Sequence, residues 1–149
     1  MKLKESLLEY CAQHVQDRIT RLKAELANIQ ASANVETKSS AGDKYETGRA
    51  MAQQEMELIL RQLAEAEKQA AEVARIGGLR KTDIVGPGSV VTTSQGAFFL
   101  AIPVGEVALD QHTIFVISPA SPLGQHMMGK RVGELVRWNI RTYDILAID

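Results

Sequence analysis

The chain is short of the residues that covalent, redox or membrane chemistry needs. Cys11 is its one cysteine in 149 residues, so no internal disulfide can form, as suits a reducing compartment. Aromatic residues make up only 5%, a poor supply for an aromatic-lined ligand box. Neither sign of charge dominates: 17 basic and 18 acidic residues leave a net charge of -1. No global field therefore holds the chain on nucleic acid or an anionic membrane, and neither independent DNA binding nor membrane association is expected. No uninterrupted apolar stretch approaches the ~20 residues of a membrane helix, and Met1 to Tyr10 lacks the long apolar run of an export signal. The expectation is a cytoplasmic protein. Its four prolines all lie from Pro87 onward, and the first 75 residues hold glycine only at Gly42 and Gly48.

What is present divides near Ile76-Gly77-Gly78, at the change in periodicity. Charge does not divide the halves, since residues 1–75 hold eleven basic and twelve acidic residues and the rest six of each. In the first half, Leu8, Ala12, Val15, Ile19, Leu22, Leu26, Ile29 and Ala33 alternate steps of four and three. Ala52, Met56, Ile59, Leu63, Ala66, Ala70 and Val73 repeat the pattern. Sustained spacing of this kind, with charges elsewhere, marks a coiled coil. A short polar joint, from about Asn34 to Gly42, favours pairing of the arms with each other over pairing with a second chain. The expectation is a monomeric antiparallel hairpin over 1–76 with arms roughly 45 Å long for ~30 residues each.

Residues 77–149 have strand character. Ser89 to Thr93, Ala97 to Ile102 and Thr113 to Ile117 are short, β-rich and bounded by Gly, Pro or Asp. Leu135 to Trp138 and Tyr143 to Ile148 form a closing hairpin turning near Asn139. Between them Ser121 caps a short helix that Pro122 starts and Gly129 ends. The fold class is α+β: a helical hairpin, then a small antiparallel sheet with one short helix.

Two passages together resemble one family. Ser121-Pro122-Leu123-Gly124, then Gly129-Lys130 and Gly133, hold the matching places of the S-P-[IL]-G-x-A-L-[IL]-G-K-x-x-G-D stretch of the bacterial Gre transcript-cleavage factors (GreA/GreB-like), with Glu134 for the usual aspartate. Gly42-Asp43-Lys44-Tyr45-Glu46 is similar to that family's G-D-L-x-E-N-A-E-Y tip segment, with Asp43 and Glu46 on its acidic positions. Thr47-Gly48-Arg49-Ala50 departs from the family's continuation, and Lys44 replaces its leucine.

The resemblance implies an FKBP-like C-terminal domain. It also implies a hairpin that enters the secondary channel of RNA polymerase, where Asp43 and Glu46 are the catalytic and metal-holding residues. These acids would help hold a Mg²⁺ shared with the polymerase, so that the polymerase cleaves a backtracked RNA 3′ end; no metal is expected on the chain alone. The factor would not itself be an enzyme. Lys44 and Arg49 are candidate contacts to RNA or polymerase, and read equally as solvated charge. Asp43 and Glu46 also fit a capping box, as do Ser40 and Asp43. The altered tip leaves open a channel-binding regulator without cleavage activity, and the FKBP-like domain a peptidyl-prolyl isomerase. His14, His112 and His126 lack ligand partners at metal spacing, and Trp138, Phe98, Phe99 and Phe115 read as core.

Overall fold

The computed structural model describes residues 2–39 and 43–149, with side chains described outside 34–46. Helices α1 (Lys2–Ser39) and α2 (Asp43–Gly77) form where no proline interrupts the a/d pattern. Helix α1 stays helical through Ser39, which shortens the joint expected from Asn34. Residues 34–39 are polar apart from Val35 and hold neither Gly nor Pro, and such residues cost only tenths of a kcal/mol each in a helix. Helix α2 ends at tandem glycines, where the Gly78 and Leu79 amides donate to the Arg75 and Ile76 carbonyls.

The chain forms two compact units, Met1–His14 with Ala71–Asp149, and Val15–Ala70. In the second unit the helices run antiparallel, with Arg18 Nη1 donating to Gln69 Oε1 at 3.3 Å. Val15, Ile19 and Leu22 of α1, and Ile59, Leu63 and Ala66 of α2, are buried as the spacing predicts. The stripe shifts at the root of α1, within the first unit. There Leu7 and Cys11 are buried, Leu8 is only half-buried and Ala12 is exposed. The steps 7, 11, 15 and 19 are all four, and each advances 40° beyond one helical turn, so the buried face rotates away from a strict heptad.

The first unit also holds six strands and one short helix: β1 (Val90–Thr93), β2 (Gly96–Leu100), β3 (Gly105–Leu109), β4 (His112–Ile117), α3 (Pro122–Met127), β5 (Leu135–Trp138) and β6 (Arg141–Ile148). Their order across the sheet is β3-β4-β2-β1-β6-β5. All neighbours are antiparallel except β2 and β4, which run parallel with Phe98 opposite Phe115. Strand β3 has no strong sequence signal, since Gly105, Glu106 and Ala108 are weak strand formers. It is held by pairing with β4 across a two-residue turn in which Asp110 and Gln111 both take positive φ. Phe98, Leu100, Val136, Tyr143 and Ile145 pack with Met127 of α3 into one core, which Trp138 flanks. Phe99 is fully buried. Phe115 departs from the core expectation: it is 36% exposed and stacks on Phe98 with ring centroids 5.6 Å apart.

Candidate functional site

The family-like stretch around Ser121 is an architectural device. Ser121 Oγ accepts from the Gly124 amide at 3.1 Å and donates to the Ser118 carbonyl at 2.6 Å, closing the N-terminus of α3. Gly124 is required there, because a Cβ would collide with the Ser118 carbonyl oxygen and lie 2.8 Å from Ser121 Oγ. Beyond α3, the Gly129 amide donates to the Val85 carbonyl and the Val85 amide to the Lys130 carbonyl, both at 2.9 Å. Glu134, in the aspartate position, accepts from the Arg131 amide at 3.0 Å and closes the next turn. These residues attach a helix to a sheet, and the hydrogen bonds of Ser121 and Glu134 are those of turn closure.

The candidate chemistry is at the start of α2. Helix α2 begins at Asp43, so positions 43 and 46 fall in its first turn, three residues apart on one side of the helix. The side chains of Asp43, Lys44 and Glu46 lie outside the described residues, as do both capping boxes. Arg49 is exposed in the second turn. Just below, Gly48, Met51, Ala52 and Glu55 of α2 face Asn28, Ile29, Ser32 and Ala33 of α1 across a groove of about 290 Å³. Sequence reasoning did not single out this groove. Small residues, Ala33 and Ala52, stand at its seam positions, as Ala66 and Ala70 do farther down, so small seam residues alone do not signal a groove.

The remaining candidates settle into structural places. His14 is exposed and stacks on Tyr10 at 6.5 Å. His126 Nδ1 donates to the Pro122 carbonyl at 2.8 Å, and His112 is exposed. Among the described residues, no group of three or more His, Cys, Asp or Glu side chains gathers to hold a metal. Cys11 is buried, and that burial pushes its thiol up to about 11, so it serves packing and not nucleophilic chemistry. No described helix is long and apolar enough to cross a membrane.

Two long helices followed by a six-stranded domain with a serine-capped helix define an α+β architecture. Residues 80–149 match the family model "Transcription elongation factor, GreA/GreB, C-term". The match is confined to the C-terminal part of the chain. Among solved structures, the chain is similar to the GreA factor homolog 1 (Gfh1) protein of Thermus thermophilus. The identity is 23% over 93% of this chain and 94% of that one, with a TM-score of 0.36. A second structure, of the transcription factor Gfh1, is 22% identical over 93% and 92% of the two chains, with a TM-score of 0.37. No curated protein matches the chain.

Proposed function

We propose that this chain is a transcription elongation factor that binds RNA polymerase, places its helical hairpin in the secondary channel and stimulates cleavage of backtracked RNA. The observation that carries the reading is the family match over 80–149, behind a two-helix segment whose second helix opens with Asp43 and Glu46. In this division of labour residues 1–76 are the probe and 77–149 the part that holds the polymerase. The chain is a cytoplasmic monomer that lends residues to the polymerase's own hydrolytic reaction, and it touches the RNA 3′ end only through that complex.

The donor chemistry at the tip suits magnesium. Asp43 and Glu46 supply hard carboxylate oxygens from adjacent positions of one helical turn, and Mg²⁺ commonly takes one or two protein carboxylates and keeps several waters. Such an ion, shared with the polymerase centre, supplies activation of water and charge stabilisation in a two-metal hydrolysis. Asp43 and Glu46 would hold the ion and orient a water toward the scissile phosphodiester. Lys44 and Arg49, in the same two turns, are the candidate contacts to an RNA phosphate or a polymerase carboxylate.

The test is a transcript-cleavage assay on artificially backtracked polymerase complexes. Wild-type chain should accelerate cleavage; Asp43→Asn and Glu46→Gln should each lose at least about 90% of it while still binding polymerase. Binding without cleavage by the wild-type chain would favour the second reading, a channel-occupying regulator, which the altered Thr47-Gly48-Arg49-Ala50 stretch motivates.

A further inference from the structure

The seam of the second unit is packed in two regimes. At its lower levels Ile19, Leu22, Ile59 and Leu63 are all buried, with at most 8% of their surface exposed. Closer to the tip, Leu26, Ile29 and Ala33 on α1 and Ala52 and Met56 on α2 are at the same seam positions yet only half-buried. The change coincides with the groove of about 290 Å³, where Gly48, Met51 and Ala52 face Ile29, Ser32 and Ala33. Met51 stays 59% exposed beside that groove instead of filling it. Two features thus weaken the same turns: unfilled space between the helices, and a glycine inside α2.

We infer that the outer hairpin, residues 27–33 with 48–56, opens and recloses as a cooperative unit of its own, hinged where Leu22 and Ile59 give way to Leu26 and Met56. Helix segments of one or two turns have little stability apart from the packing of their apolar face, so the poorly packed turns separate at far lower free energy than the seam beneath them. Ordinary end-fraying predicts protection that decays smoothly toward the tip. A packing discontinuity predicts a step. The device lets these turns separate while the lower seam keeps its register, and it holds whether or not the chain acts on polymerase.

Residue-resolved amide hydrogen exchange on the full chain tests this. In the wild-type chain, amides 49–56 and 27–33 should exchange at least about tenfold faster than amides 59–66 and 15–22, with the change falling between Met56 and Ile59. Ala52→Leu, which puts a large seam side chain into the groove, should slow exchange at 49–56 about tenfold and leave 59–66 and the sheet amides unchanged. Gly48→Ala should slow the same amides about fivefold through helix propensity alone, and decides the matter if the leucine variant disturbs the sheet amides. A smooth decay of protection along the hairpin, or a step that Gly48→Ala leaves in place at its original height, would overturn the inference.

Discussion

Replacing Gly124 with alanine puts the role of the family-like stretch to a quantitative test. The new Cβ would meet the Ser118 carbonyl oxygen, a backbone atom that cannot rotate aside, and would lie 2.8 Å from Ser121 Oγ and 3.1 Å from the Pro119 carbonyl carbon. Relieving that crowding costs about 1–3 kcal/mol, as overpacking in a closed site usually does. The same displacement separates Ser121 Oγ from the Gly124 amide and the Ser118 carbonyl it bridges, and losing such a cap costs roughly 1 kcal/mol more. The expected total is about 2–4 kcal/mol, roughly 10–25 °C in melting temperature for a domain of this size. Trp138, the one tryptophan, flanks the core that Met127 of α3 enters, so its fluorescence reports melting of the sheet domain. Ser121→Ala alone should cost about 1 kcal/mol, and Gly124→Ala should cost about that much less in the Ser121→Ala background, because both act on one turn. A shift below about 3 °C for Gly124→Ala, with the melt still cooperative, would refute the steric argument.

Three further outcomes follow from the geometry. Gly88 has φ +85° and a Cβ there would come 2.9 Å from Ile76 Cγ2, so Gly88→Ala should destabilise the first unit by about 1–2 kcal/mol in urea unfolding. Native Cys11 should resist thiol reagents until denaturant is added, because a thiol at about 11 holds roughly one thiolate per thousand at pH 8. Since the folded thiol titrates above its ordinary value of 9.0, the unfolded chain loses that proton first. The contribution is then intact below pH 9 and fades by about 2–3 kcal/mol as pH rises to 11; Cys11→Ala should show a shallower loss of stability across that window.

The legible parts of this protein are those governed by local periodicity and local capping. Val15, Ile19 and Leu22, with Ile59, Leu63 and Ala66, are buried because steps of three and four return to one helix face whatever that face meets. Ser121, Pro122 and Gly129 bound a helix by rules that involve only a few neighbouring residues. The turn at Asn139 followed from the same kind of signal, with that residue taking φ 59°.

Pairing across the chain decided the rest. The parallel contact of β2 with β4, the weak strand β3 held on β4, and the exposure of Phe115 at its place in the sheet depend on partners distant in sequence, and no local pattern specifies them. The slip from Leu8 and Ala12 to Leu7 and Cys11 falls in the first unit, where strict heptad spacing alone does not predict which residues are buried. Asp43 and Glu46 could be read as a pair from their spacing alone; α2 begins at Asp43, and their side chains lie outside the described residues. The groove beneath them could not, because empty space between two helices is a property of both faces at once: Ala33 and Ala52 are unremarkable residues until the fold sets them opposite each other.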